Sequence, residues 1–214
     1  MAKALVVMLL LSAHAFGQPL ISLRLGATYP WSASAFTDVV FLREYYWKVG
    51  FTGGITARHP LTSWLLASAS VEHDLYPFDH LPPPMTLFGE RLTASSGGPA
   101  HVTRFGIDVR VISRLDSVKP RIFFLLGGGY TLERYGRITS TWVAPGGSLS
   151  QSDFEHEPQN YWGAWFAIGT VWRVSRYFDI EPMFACRYRI NNWGLVHEHS
   201  YGLLALQLAY NLNR

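Results

Sequence analysis

The feature that most constrains this chain is an alternation of apolar and polar residues with period two, repeated over eight segments, in which the charged residues keep to one side. The segments are residues 20–29, 46–57, 63–72, 103–112, 122–132, 161–172, 180–190 and 201–212. Period two is the signature of a β-strand, whose successive side chains point to opposite faces. In the last segment Leu204, Leu206, Leu208, Tyr210 and Leu212 share one face, with Ala205, Gln207, Ala209 and Asn211 on the other. In the seventh, Ile180, Phe184, Cys186, Tyr188 and Ile190 oppose Glu181, Met183, Ala185, Arg187 and Arg189. Pro182 removes one ladder hydrogen bond there, which a position near a strand end tolerates.

Nine charged residues fall within these segments: Arg24, Lys48, Glu72, Arg104, Asp108, Arg110, Glu181, Arg187 and Arg189. All have the parity of the smaller, more polar face. The opposite face, with Ile21, Leu23 and Leu25, then Trp47, Val49 and Phe51, then Phe105, Ile107 and Val109, carries none. A strand that turned its arginines toward lipid would lose about 2 to 4 kcal/mol for each one near the midplane. The pattern therefore predicts a barrel with an apolar outer wall and a charged interior.

The connections alternate between short ones, near residues 58–62, 114–119 and 174–177, and long ones, at 30–45, 73–102, 133–160 and 191–200. Such alternation places all short turns at one end of an up-and-down sheet and all long loops at the other. The long segments contain Pro82-Pro83-Pro84, Ser96-Gly97-Gly98-Pro99 and Pro145-Gly146-Gly147, which read as turn and loop chemistry. The inward parity also holds Gly26, Gly50, Gly54, Gly106, Gly127, Gly129, Gly163 and Gly169. Eight strands enclose an interior that side chains can fill, so these glycines make room for long charged side chains to cross and pair. The expectation is a salt-bridged plug. Aromatic residues gather in two girdles: Tyr29, Trp31, Tyr45, Tyr46, Tyr130, Tyr161, Trp162, Tyr188, Trp193 and Tyr201 toward the long loops, Trp64, Trp172, Tyr177, Phe178 and Tyr210 toward the short turns.

Residues 1–17 read as an export signal, with Lys3 before an apolar run from Ala4 to Leu11 and small residues at Ala13, Ala15 and Gly17. Residues 18–214 are left as one barrel domain. Composition agrees: 49% hydrophobic and 15% aromatic residues with only 15% charged exclude a disordered chain, and no later run is long enough for a membrane helix. A formal charge of +3 without a basic cluster argues against a nucleic-acid partner. The single cysteine, Cys186, has no intramolecular disulfide partner.

The chain resembles the small eight-stranded bacterial outer-membrane β-barrels of the OmpA-like and OmpX-like type. The resemblance is one of pattern over residues 18–214, most recognisable in the hairpin from Gly169 to Pro182 and in the closing run Leu206-Gln207-Leu208-Ala209-Tyr210-Asn211-Leu212. It implies an antiparallel up-and-down transmembrane barrel with short periplasmic turns, long extracellular loops and both termini periplasmic. It further implies outer-membrane lipid and lipopolysaccharide as surroundings, the barrel assembly machinery as a partner during biogenesis, an extracellular ligand or protein at the loops, and no cofactor.

Some barrels of this size modify lipid A, so an acyl hydrolase or transferase is the alternative. A hydrolase of that type resembles a serine enzyme with a His-x-Ser pair, and this chain has none: His101-Val102-Thr103 is the nearest match, and the adjacent His199 and Ser200 point to opposite faces. A secreted lipocalin-like barrel would require charges outside and an apolar cup within, the reverse of the parity found. The sequence thus favours a structural or surface-interaction role without catalysis. Six histidines, His73, His80, His101, His156, His197 and His199, fall in or beside the long loops. His197 and His199 share a face in an extended segment and, with His156, form the candidate metal set.

Overall fold

Along residues 65–76, Leu66, Ser68, Ser70, Glu72, Asp74 and Tyr76 are buried while their neighbours are half-buried or exposed, so a single strand shows the division of the whole molecule. The computed structural model describes residues 20–31, 49–78, 86–87, 89–113, 120–155, 157–191 and 194–211. Its strands are β1 (Leu20–Trp31), β2 (Gly50–Pro60), β3 (Leu65–Tyr76), β4 (Thr86–Leu87), β5 (Glu90–Gly97), β6 (Ala100–Ile112), β7 (Arg121–Arg134), β8 (Ile138–Val143), β9 (Leu149–Phe154), β10 (Gln159–Arg173), β11 (Phe178–Asn191) and β12 (Gly194–Asn211).

Eight of them close into an antiparallel barrel in the order β1, β12, β11, β10, β7, β6, β3, β2. Closure runs from Leu20 opposite Asn211 to Trp31 opposite Ser200. Closing the sheet leaves no unpaired strand edge, which is the condition for a β-structure to sit in hydrocarbon. The two short turns among the described residues share one device. Thr62 Oγ1 accepts from the amides of Trp64 and Leu65, and Ser175 Oγ accepts from those of Tyr177 and Phe178, so a hydroxyl satisfies two amides that the ladder leaves free. Opposite Pro182 the β10–β11 register is interrupted, resuming at Gly169 with Met183 on one side and Trp172 with Ile180 on the other.

The long connections differ from the sequence expectation. Segments 73–102 and 133–160, read as loops, contribute β4, β5, β8 and β9, which form a second four-stranded sheet beyond the barrel. Its polar alternation, as in Ile138-Thr139-Ser140-Thr141 or Ser150-Gln151-Ser152-Asp153, has no lipid to face and so lacks the apolar stripe that identifies a membrane strand. The β8–β9 hairpin turns through Gly147, whose φ of 80° suits glycine. Of segment 191–200, also read as a long connection, residues 194–200 belong to β12: the ladder with β11 continues to Asn191 opposite Gly194, with a register shift between Arg187 and Arg189.

Candidate functional site

The outer wall is apolar over its whole middle. Ile21, Leu23, Leu25, Phe51, Ile55, Phe105, Ile107, Val109, Ile122, Phe124, Leu126, Phe166, Ile168, Phe184, Leu204, Leu206 and Leu208 all point outward and are exposed, Ile107 by 72% and Leu126 by 69%. Tyr130 and Trp162 meet edge to face at 5.6 Å near the long-loop end, and Phe178 and Tyr210 lie tilted against each other at 5.1 Å near the short turns. Tyr161 departs from the girdle expected of it. It faces inward and its hydroxyl donates to Glu133 at 2.5 Å.

Inside, six arginines and five carboxylates are buried among the described residues: Arg24, Arg58, Arg104, Arg110, Arg121 and Arg187 with Glu72, Asp74, Asp108, Glu133 and Glu181. They fall into two groups. Toward the long loops, Glu72 accepts from Arg24 and Arg187 through separate oxygens, and Asp74 accepts from Arg104 at 2.5 Å and from Tyr76 at 3.2 Å, with Arg187 at 3.6 Å. Toward the short turns, Glu181 takes Arg58 in a two-pronged pair at 2.6 and 2.7 Å, and Arg110 at 2.7 Å. Gln207 joins the groups. Its Oε1 lies 3.5 Å from Arg24 and 3.4 Å from Arg110, and its amide donates to Ser22 at 2.6 Å.

Apolar clusters flank the charged layer. Leu66, Ile112, Phe123, Leu125, Val171, Met183 and Leu203 pack together beside it, with the Arg110 guanidinium 3.9 Å over the Phe123 ring. Tyr76, Ala100, Val102 and Ile138 form another cluster under the second sheet. Gly106 and Gly127 matter here: a Cβ at either would overlap the Trp165 ring, which their absence of side chain admits into the lumen. The recess beside Arg104, Tyr161, Trp165 and Arg187 measures only 10 Å³, the room of about one water. A larger recess, of 770 Å³, lies where Ala57, Ala67, Ala69, Gly128 and Ala164 make the outer wall thin.

Seven of the nine charged residues singled out in the sequence, Arg24, Glu72, Arg104, Asp108, Arg110, Glu181 and Arg187, are buried inside the barrel. Arg189 is half-buried at its rim, donating to Gln159 at 3.1 Å and lying over the Tyr161 ring at 5.1 Å. Lys48 lies outside the described residues. Asp108 is bonded by the Ser68 hydroxyl, whereas the direct ion pairs go to Glu72, Asp74 and Glu181. Arg58, Asp74, Arg121 and Glu133 continue the inward parity just past the segment ends read from the sequence, Arg58, Arg121 and Glu133 by one residue and Asp74 by two, beyond the polar outward His73. The strands run beyond the lipid band, so parity was the better guide to their length.

Of the candidate metal set, His156 and the side chains of His197 and His199 lie outside what is described. The backbones of the latter two belong to β12. Among the described residues no three metal-ligating side chains gather. His73 and His101 do meet, with Nε2 of the first 3.2 Å from Nδ1 of the second. At the edge of the outer sheet, Arg137 donates to Glu155 at 3.0 Å, which raises the exposed guanidinium's proton affinity.

No family model matches the chain, and no curated protein does. Solved structures match over nearly its whole length. Neisserial surface protein A is 15% identical, covering 91% of this chain and 97% of its own, with a TM-score of 0.50. A major outer-membrane protein from Thermus thermophilus is 12% identical with 90% and 98% coverage and a TM-score of 0.49. Ail, the attachment invasion locus protein of Yersinia pestis, is 11% identical with 90% and 96% coverage and a TM-score of 0.48. With its closed eight-stranded antiparallel wall and the likeness to the Neisserial protein, the chain has the fold of the small outer-membrane β-barrels.

Proposed function

We propose that this chain is an integral bacterial outer-membrane protein whose barrel is a closed, internally braced support for a surface-exposed sheet. In this reading it neither conducts ions through a wide pore nor catalyses a reaction. The observation that carries it is the separation of faces. Around the barrel the outward side chains form an apolar band while, among the described residues, six arginines and five carboxylates are buried within, a division suited to lipid outside and salt bridges inside. Buried apolar clusters pack alongside the charged residues, which supports a plugged lumen rather than a channel.

Residues 1–17 would direct export. Both ends of the barrel, Leu20 and Asn211, sit side by side at the short-turn end, which this reading places in the periplasm. Lipid and lipopolysaccharide then surround the wall, the barrel assembly machinery inserts it, and a partner meets the sheet of β4, β5, β8 and β9 at the cell surface.

Fractionation with and without boiling tests the reading, because folded small barrels migrate differently from boiled ones. The protein should enter the outer-membrane fraction and show this shift, and the refolded chain should give no large, stable conductance in planar bilayers. Recovery in the soluble periplasm, or a steady open channel, would refute it.

A further inference from the structure

We infer that His73 and His101 form a two-imidazole site for a divalent transition metal such as Zn²⁺ on the outside of the barrel, at the boundary between the lipid band and the long-loop side. The two histidines project from neighbouring strands, β3 and β6, diagonal to one another: His73 pairs with Thr103 and His101 with Leu75. The ring centroids are 5.4 Å apart, and His73 Nε2 lies 3.2 Å from His101 Nδ1. Tetrahedral zinc with Zn–N bonds of about 2.0 to 2.1 Å needs two ligand nitrogens about 3.3 to 3.4 Å apart. A metal therefore fits between these rings once the nitrogens separate by a few tenths of an ångström and each ring turns its lone pair from the N···N line toward the ion.

The neighbouring hydroxyl supplies the orientation. His73 Nδ1 lies 2.9 Å from Thr103 Oγ1, and with that nitrogen donating to the hydroxyl, the lone pair of Nε2 points at His101. Metal-binding histidines are held in this way, by a hydrogen bond from the other ring nitrogen. Without metal, His101 Nδ1–H donates to His73. With metal, that proton moves to His101 Nε2 and both lone pairs turn to the ion.

Location sets the remaining ligands. Thr103 stands one outward step from Phe105, which faces the girdle residue Tyr130, and His101 stands one further, opposite Arg134. Among the described residues the nearby carboxylates Asp74 and Glu133 point into the lumen. Open positions on the metal are thus left for water or for an anion that Arg134 helps to hold.

Zinc titration calorimetry on the refolded mature chain in detergent tests the site, with heat-modifiable migration verifying that each variant is folded. His73→Ala and His101→Ala should each abolish one zinc-binding event, and the double variant should be no worse than either single. Thr103→Val, a positioning change, should weaken binding about tenfold. The His197→Ala, His199→Ala variant should retain the event. Wild-type binding in either His73→Ala or His101→Ala, or loss of the event only in the His197→Ala, His199→Ala protein, would overturn the inference.

Discussion

Replacing Glu181 by alanine should be among the most destabilising single changes in the barrel. The carboxylate takes three hydrogen bonds from two guanidiniums, Arg58 at 2.6 and 2.7 Å and Arg110 at 2.7 Å, and all three side chains are 3% exposed or less. Summing the bonds at about 1.5 to 3 kcal/mol each overstates the loss, because they share one desolvated carboxylate. Breaking a buried pair by removing one partner typically costs about 3 to 5 kcal/mol, since the cations remain buried without their counter-charge. That is roughly two to three and a half decades in the folding constant. Urea unfolding in lipid vesicles, followed by the fraction with folded migration, measures it. Arg58→Met, Arg110→Leu and Glu181→Met together should recover most of the loss, because an apolar core avoids the desolvation altogether. A Glu181→Ala loss below about 1 kcal/mol, or a triple variant no better than the single, would refute the argument.

Asp108→Ala should cost less, about 1 to 3 kcal/mol, since its direct contact is the Ser68 hydroxyl. A loss equal to that of Glu181→Ala in the same urea series would mean that Asp108 carries the arginines' charge after all. Gly106→Val places atoms in the Trp165 ring and should cost about 1 to 3 kcal/mol by overpacking, a penalty that shrinks when Trp165→Ala is added; equal penalties in both backgrounds would rule out that clash as the cause. In a Cys186→Ser background, Leu23→Cys with Leu208→Cys should crosslink in membranes because the two are direct partners across the closing seam. Leu23→Cys with Leu204→Cys, four residues or about 14 Å along the strand, should not. Crosslinking of both pairs alike would indicate a sliding seam.

What was legible in the sequence was whatever depends on period two. The inward parity of Arg24, Glu72, Arg104, Asp108, Arg110, Glu181 and Arg187 is local information, since each residue's face follows from its immediate neighbours once the strand is recognised. The length of the strands was less legible. Beyond the lipid band the outward positions no longer need to be apolar, so Arg58, Asp74 and Glu133 lost the alternation that had marked their strands although they kept its parity. The second sheet was hidden for the same reason, as both of its faces are rich in serine and threonine.

Which charges meet was settled only by the tertiary structure. Arg58 and Glu181 are 123 residues apart and Arg24 and Glu72 are 48 apart, and no property of either segment names the other. Their meeting depends on the stagger with which eight tilted strands close, which sets the heights at which side chains cross the lumen. The His73–His101 pair arises similarly: the β3–β6 register brings His73 opposite Thr103 and so places both histidines on one outward diagonal. Alternation along the chain determined the faces, and closure of the barrel determined the partners, because the first is a property of one strand and the second of all eight.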